Sequence, residues 1–156
     1  MPYLDWNPDT AAEIAAAHAG REGALLPLLR ELQETFGYIP RAGAPIVAKA
    51  LNLSRAEVHG VITFYHDFRT RPAGRRVLKL CRAEACQARG ADAAAARIEA
   101  ALGVSMGQTR ADGQVTLEPV YCLGLCASGP AALLDGEPVA RLSGSRLDQL
   151  IERAQR

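Results

Sequence analysis

The stretches RVLKLCRAEAC, residues 76–86, and VTLEPVYCLGLC, residues 115–126, decide the fold. In each of them an extended segment runs into a cysteine. Arg76 to Leu80 alternates between polar and apolar residues, and Val115 to Tyr121 leads directly to Cys122. Alternation with a period of two residues is typical of a strand with one buried face. Both stretches therefore predict a strand that ends at a cysteine-containing loop.

All four cysteines of the chain lie in these loops, as the pairs Cys81-x4-Cys86 and Cys122-x3-Cys126. Four thiolates are suitable ligands for zinc or for an iron–sulfur cluster. Zinc loops usually have tighter spacings, whereas the two irons of a binuclear cluster can each accept one of these wider pairs. A thiol-exchange site would require Cys-x-x-Cys, which the sequence lacks. Spacing alone leaves open an iron–sulfur cluster, structural zinc, and disulfides or free buried thiols.

Composition and charge exclude several functional classes. At 156 residues, with 49% hydrophobic and 22% charged residues, the chain has an ordinary globular composition. A net charge of +1 provides no basic field for nucleic acid. The start MPYLDWNPDT lacks the cationic and apolar regions of a secretory signal, and the apolar run from Cys122 to Leu134 is too short for a membrane span. We expect a soluble, cytoplasmic protein with no nucleic-acid partner and no membrane insertion.

Residues 1–72 are predicted to form a helical subdomain of four short helices. Thr10 and Glu13 fit a capping box for a first helix that runs to about His18. The segment from Leu25 to Phe36 has apolar residues at three- and four-residue steps, which predicts a second helix with one buried face.

Gly37 is predicted to end this second helix, and a third is expected from about Ala44 to Leu51. Ser54 with Glu57 predicts a second capping box, at the start of a fourth helix. The apolar faces of the second and third helices exceed what a cap on a small sheet would bury. We therefore expect the helical subdomain to dock to a partner protein.

Residues 73–156 are predicted to form a small sheet with helices packed on it, in the order strand, helix, strand, strand, strand, helix. The elements after the first strand are a helix from about Gly90 to Leu102, the extended segment from Val115, a hairpin of Ala131 to Leu134 and Val139 to Leu142, and a last helix from Ser143 or Ser145. Asp135 and Gly136 fit the hairpin turn. Pro119 predicts that its strand lies at an edge or is interrupted. In this layout, both cysteine pairs follow strand ends and meet at one edge of the sheet.

The loop from Cys122 to Pro130 is rich in small residues, including Gly124 and Gly129. Bridging sulfides of a cluster accept hydrogen bonds from backbone N–H groups, so a loop that wraps closely needs positions without a Cβ. Three cations lie near the first pair in sequence: Lys79, Arg82 and Arg89. Two ferric ions, two sulfides and four thiolates sum to a charge of about −2, and reduction adds another negative charge. Our hypothesis is that these cations raise the reduction potential by favouring the reduced form.

Four segments form a specific combination: Tyr38-Ile39-Pro40, Val61-Ile62-Thr63-Phe64-Tyr65, Cys81-x4-Cys86 and Tyr121-Cys122-Leu123-Gly124-Leu125-Cys126. In this order they resemble the small [2Fe–2S] subunit of the NADH-dehydrogenase module of respiratory complex I, over nearly the whole chain from about Gly20. The resemblance implies an α+β fold, with an N-terminal helical bundle (residues 1–72) followed by a thioredoxin-like [2Fe–2S] ferredoxin domain (residues 73–156). It also implies one [2Fe–2S] cluster with four cysteine ligands: Cys81, Cys86, Cys122 and Cys126.

Within that family, the short chain and the segment Tyr65-His66-Asp67-Phe68-Arg69 are similar to the gamma subunit of the soluble, molybdenum-containing, NAD-dependent formate dehydrogenase. The similarity to this gamma subunit extends from Val58-His59-Gly60 through Arg69. This implies an electron-transfer subunit with no catalytic residue of its own, beside a flavin- and NADH-binding subunit and a molybdenum-containing subunit. The sequence has neither Gly-x-Gly-x-x-Gly nor a P-loop motif, so nucleotide and flavin sites are expected on other subunits. The alternatives are the equivalent subunit of an NAD-reducing hydrogenase or of complex I, a structural zinc module, and a thiol redox protein.

Overall fold

The computed structural model describes residues 3–156 and divides into two compact units, Met1–Pro72 and Ala73–Arg156. Residues 1 and 2, with which the predicted helical subdomain begins, lie outside the described part of the chain. The first unit is built from helices, and the second contains a five-stranded sheet with helices packed on it. The fold is therefore of the predicted α+β class. Within residues 3–156, no helix is both long enough and apolar enough to cross a membrane.

The first unit, called the helical unit below, has four helices: α1 (Pro8–His18), α2 (Leu25–Phe36), α3 (Gly43–Leu51) and α4 (Arg55–Phe64). The face of α2 that the sequence predicted is buried, at Leu28, Leu29, Leu32 and Phe36. These side chains share one core with α1, α3 and α4, through residues such as Ala15, Val47 and Val58. The second helix and its buried face are thus confirmed.

The helix ends show which local signals determine the structure. Ser54 and Glu57 form the predicted capping box of α4, with each side chain accepting a hydrogen bond from the other residue's backbone N–H. Gly37 ends α2 in the left-handed conformation, at φ 78°, as predicted. The capping box at Thr10 is wrong, because α1 begins one turn earlier at Asn7, whose side chain accepts from the N–H groups of Asp9 and Thr10. Asparagine is as good a cap as threonine, and it precedes a proline at the first helical position, which favours the earlier start.

The second unit, called the sheet unit below, contains strands β1 (Arg76–Cys81), β2 (Gln108–Thr109), β3 (Val115–Val120), β4 (Ala131–Leu134) and β5 (Glu137–Ala140). Its helices are α5 (Glu84–Gln87), α6 (Ala91–Leu102) and α7 (Gly144–Gln155), and a 3₁₀ turn covers Cys126–Ser128. The strand order is β2-β3-β1-β4-β5, with β1 and β3 parallel and the other neighbours antiparallel. The predicted element order is confirmed, with α5, β2 and the 3₁₀ turn as short additions.

Helices α6 and α7 pack against each other and against β1, and they share one apolar core with the sheet. The fully buried members of this core include Leu80 on β1, Ile98 on α6, Leu117 on β3 and Leu150 on α7. Because Leu80 directly precedes Cys81, the same strand that fills the core also positions the first cysteine.

Pro119 does not put its strand at an edge or interrupt it, so this prediction is wrong. β3 lies between β2 and β1 and continues through Val120. The strand tolerates proline because β2 is only two residues long and pairs with Thr116 and Leu117, leaving Pro119 without a neighbour on that side. Proline lacks a backbone N–H, so it costs little where a strand is locally unpaired.

The hairpin of β4 and β5 turns at Asp135 and Gly136, as predicted. Both residues have positive φ, 53° and 88°, which is the conformation that Asp-Gly sequences favour in two-residue hairpins. The second strand begins at Glu137 and ends at Ala140, two residues before the predicted segment. A two-residue turn requires pairing to resume immediately, and Leu134 indeed pairs with Glu137. Ser143 precedes α7 as its N-cap, at one of the two predicted starts.

Candidate metal centre

The two cysteine loops leave the sheet side by side. Cys81 is the last residue of β1 and lies opposite Val120, the last residue of β3. Cys122 follows two residues later. Because β1 and β3 are parallel neighbours, their carboxyl ends meet at the same edge, which is where parallel sheets usually place their sites. The Arg82 N–H donates to the Val120 carbonyl at 2.8 Å and continues the pairing into the first loop.

The first loop is compact and buried. Cys86 lies on the short helix α5, and its N–H donates to the Ala83 carbonyl at 2.9 Å. Cys81 and Cys86 are each 1% exposed, and they pack with the buried Ala91 at the start of α6. Leu123 and Val120 pack against the same cluster from the β3 side.

The second loop is more open. Cys122 is exposed and Cys126, at the start of the 3₁₀ turn, is half-buried. Cys122 has a φ of 81° and Gly124 a φ of 72°, so the backbone has a positive φ at two of three consecutive residues. A positive φ is unusual for a residue with a Cβ and is found where the surrounding structure enforces it. The Gly124 N–H donates to the Cys122 Sγ at 3.4 Å.

Backbone N–H groups from both loops converge on Cys81. Burial opposes ionisation of its thiol, but hydrogen bonds from the Ala83 N–H, the Cys86 thiol and the N–H groups of Cys122 and Leu123 favour the thiolate, and the net effect lowers the pKa of Cys81. Donors from the second loop thus reach a cysteine of the first. The same donors would stabilise the negative charge of a metal-bound thiolate.

The remaining thiols are paired within each loop. Burial, together with the hydrogen bond that it donates to Cys81, raises the pKa of Cys86. The hydrogen bond between Cys126 and Cys122 and the charge of Cys122 raise the pKa of Cys126. Cys126 is also close enough to Cys81 and Cys86 for their charges to interact. The structure therefore brings all four predicted site residues into one neighbourhood, as two side-by-side pairs.

These pairs match the donor set of a binuclear cluster, because each of its two irons takes two thiolates. Among residues 3–156, no three His, Cys, Asp or Glu side chains are grouped tightly enough to hold a single metal ion. The two loops approach each other closely at Gly129, where an added Cβ would lie only 3.3 Å from the Cys86 Sγ. Paired thiols, convergent N–H donors and a glycine at the closest approach all fit a [2Fe–2S] group.

Each of the three cations near the first pair has a partner. Lys79 Nζ lies 3.7 Å from a Glu118 carboxylate oxygen on β3, and Arg82 forms an ion pair of 2.9 Å with Asp92 on α6. Arg89 Nε donates to the Gly129 carbonyl oxygen at 3.1 Å. Lys79 and Arg82 each pair with a carboxylate, which weakens their fields, whereas Arg89 keeps its net charge because its partner is a neutral carbonyl. The combined effect of the three cations on a reduction potential is therefore smaller than the sequence suggested.

Sequence reasoning missed the donors to Cys81 and the contact of Arg89 with Gly129. The N–H groups of Ala83 and Leu123 carry no side-chain signal, because any residue except proline has one. Gly129 was visible as a small residue before Pro130, but the sequence did not show that Arg89 and Cys86 approach it.

Comparisons with known proteins agree with this site. A family model described as thioredoxin-like [2Fe–2S] ferredoxin matches residues 11–155. Similar proteins include the E subunit of the NADH-quinone oxidoreductase of Pseudomonas aeruginosa, 32% identical over 83% of this chain and 78% of the relative. The second E-type subunit of the same enzyme from Rhizobium meliloti (strain 1021) is 36% identical over 88% of this chain and 82% of the relative.

A solved structure of an NAD+-reducing [NiFe]-hydrogenase in the air-oxidized state has a similar fold, with a TM-score of 0.71 and 28% sequence identity. The match covers 84% of this chain. It spans only 22% of that hydrogenase chain, so most of the hydrogenase chain has no counterpart here.

Proposed function

Because the chain belongs to the thioredoxin-like [2Fe–2S] ferredoxin family and carries one [2Fe–2S] cluster, we propose that it is an electron-transfer subunit. The complex to which we assign it is an NADH-linked oxidoreductase. The observation that carries the proposal is the placement of two cysteine pairs at the adjacent carboxyl ends of β1 and β3. When bound, a [2Fe–2S] cluster accepts and releases one electron at a time. Two similar proteins are named as subunits of NADH-quinone oxidoreductases, and the chain with a similar fold comes from a structure of an NAD+-reducing hydrogenase.

We assign the ligands as two pairs, Cys81 with Cys86 for one iron and Cys122 with Cys126 for the other. The support is that Cys81 and Cys86 lie on the first loop and pack in one buried cluster, whereas Cys122 and Cys126 both lie on the more open second loop. The N–H groups that surround Cys81 stabilise thiolate charge from the buried side, and the open second loop leaves the other pair close to the surface. Electrons can therefore enter and leave on the side of Cys122.

The partner in electron exchange is a flavin- and NADH-binding subunit. Hydride chemistry at NAD+ moves two electrons, whereas a cluster of this kind handles one, so a flavin must combine or split them. The sequence contains no nucleotide-binding motif, which is consistent with a separate subunit for this step. No side chain of the chain itself acts as an acid, a base or a nucleophile in this proposal.

For the substrate of the complex we propose formate, with a molybdenum-containing subunit as the site of its oxidation and the cytoplasm as its location. The support is the resemblance of the segment from Val58 to Arg69 to the formate dehydrogenase gamma subunit. In the structure this segment covers most of α4 and the loop after it, and at their junction Phe64 is 72% and Tyr65 43% exposed. Exposed aromatic side chains are typical of contacts between proteins. The segment is thus suited to determine which complex the chain joins.

The test is to purify the tagged chain from its native host and to assay the co-eluting complex anaerobically with formate and with hydrogen. NAD+ reduction by formate, with molybdenum and flavin in the complex, supports the proposal. Reduction by hydrogen alone would assign the chain to a hydrogenase, and NADH oxidation by quinone in a membrane fraction would assign it to complex I. A colourless protein with zinc and no acid-labile sulfide would overturn the electron-transfer role itself.

A further inference from the structure

Arg89 connects the two cysteine loops. It follows Cys86 by three residues, and its N–H donates to the Cys86 carbonyl at 3.1 Å. The residue is exposed, but its Nε donates to the carbonyl of the buried Gly129 at 3.1 Å. Gly129 in turn follows Cys126 by three residues, and its N–H donates to the Cys126 carbonyl at 3.2 Å. One side chain therefore links the backbone beside one cysteine pair to the backbone beside the other.

The contact at Gly129 is close on both sides. A Cβ at this position would lie 3.3 Å from the Cys86 Sγ and 3.3 Å from the Arg89 Cδ. Its φ is −66°, which any residue can adopt, so space and not backbone conformation favours glycine here. The second loop thus rests directly against a thiol of the first, at the position that Arg89 holds.

The rest of this segment is fixed from the opposite side. The Arg141 N–H donates to the Ser128 carbonyl at 2.8 Å, and the Leu142 N–H donates to the Pro130 carbonyl at 3.1 Å. The carbonyl between these two, that of Gly129, is the one that faces the first loop and accepts from Arg89. Removing the arginine would leave an acceptor at a buried residue without this donor, which costs more than an exposed hydrogen bond.

We propose that Arg89 is a positioning residue, which holds the second cysteine loop at a fixed separation from the first and so sets the geometry in which the four cysteines receive the cluster. The inference rests on the ligand assignment made above. The proposed role of Arg89 differs from a purely electrostatic one, because it depends on the hydrogen bond to the Gly129 carbonyl and not on the positive charge alone.

Arg82 provides a matched control for this distinction. It lies in the same loop and also has one positive charge, but its partner is Asp92 on α6 and not a residue of the second loop. Arg82→Met and Arg89→Met each remove one charge from the neighbourhood of the first pair. Only Arg89→Met removes a side-chain bond between the two loops.

The experiment uses the purified, cluster-loaded protein. Two properties are measured: the half-time of bleaching by an iron chelator and the EPR spectrum of the reduced state. We expect Arg89→Met to bleach at least about fivefold faster, since about fivefold is the effect of one ordinary hydrogen bond, and to have altered g-values. Arg82→Met should bleach at the rate of the unmodified protein with unchanged g-values. Arg89→Lys keeps a donor and a charge, and we expect it to restore part of both properties.

Gly129→Ala tests the same geometry with Arg89 intact, because the added Cβ presses against the Cys86 Sγ and should alter the g-values. Equal bleaching rates and spectra in the two methionine variants would overturn the positioning role, as would an Arg89→Met protein identical to the unmodified one. If the unmodified protein contains zinc and no sulfide, the proposed function fails together with this inference. If the unmodified protein contains the full cluster, but Arg89→Met and Arg82→Met have the same bleaching rate and EPR spectrum, the positioning role fails and the proposed function stands.

Discussion

The helical unit and the sheet unit relate their cores to function in different ways. In the helical unit, the buried residues of α2 fill a core that contains no cysteine. In the sheet unit, β1 contributes Leu80 to the core and Cys81 to the candidate site in consecutive positions. Packing and ligand geometry are therefore coupled in one unit and separate in the other. A core substitution in the helical unit should change stability without changing the cluster, whereas one in the sheet unit should change both stability and the cluster.

The largest expected effect is the loss of the cluster when a single cysteine is replaced. We expect Cys→Ser variants at positions 81, 86, 122 and 126 to lose most of their iron and acid-labile sulfide, together with the EPR signal of the reduced protein. A hydroxyl is a weaker ligand for iron than a thiolate, and the protein supplies only two ligands to each iron of the cluster. The control is Thr109→Ser on β2, outside the two loops, and this variant should keep the full EPR signal. Full iron, sulfide and signal in all four cysteine variants would contradict the ligand assignment.

The second prediction separates the units. A fragment of residues 73–156 contains all four cysteines and a core of its own, so we expect it to bind the cluster with an EPR spectrum like that of the full chain. The sequence predicts that the helical unit serves for docking, so the fragment should no longer co-purify with the flavin- and NADH-binding subunit. Retained co-purification would contradict the docking role, and loss of the cluster would contradict the independence of the sheet unit.

A smaller effect compares two leucines that are both 0% exposed, Leu28 in the helical unit and Leu80 in the sheet unit. Each Leu→Ala substitution should lower the free energy of unfolding by about 2 to 5 kcal/mol, because it removes buried apolar surface and leaves a cavity. Only Leu80→Ala should also speed the loss of the cluster, since it loosens the strand that ends at Cys81. Urea unfolding measures the first quantity and chelator bleaching the second. Equal bleaching in both variants would show that the two units are not independent in this respect.

Local patterns were sufficient to predict most of the elements. The buried face of α2, the capping box of Ser54 and Glu57, and the turn at Asp135 and Gly136 each depend on residues within a few positions of one another. Such interactions form between neighbours in sequence, so the residue types alone specify them. Local patterns can also mislead, as at Thr10. Asn7 and Thr10 are both suitable N-caps, and the sequence pattern does not show which of the two begins the helix.

The same distinction between local patterns and long-range contacts applies to the candidate site. The sequence by itself determined that four thiols occur in two pairs, each after a strand, but spacing left zinc and an iron–sulfur cluster as alternatives. Only the tertiary structure decided that β1 and β3 are parallel neighbours, that N–H groups of the second loop reach Cys81, and that Arg89 bonds to Gly129. These contacts join segments about forty residues apart in the chain, counted from Arg89 to Gly129. Their partners are backbone groups that every sequence possesses, so which of them meet depends on the register of the whole sheet.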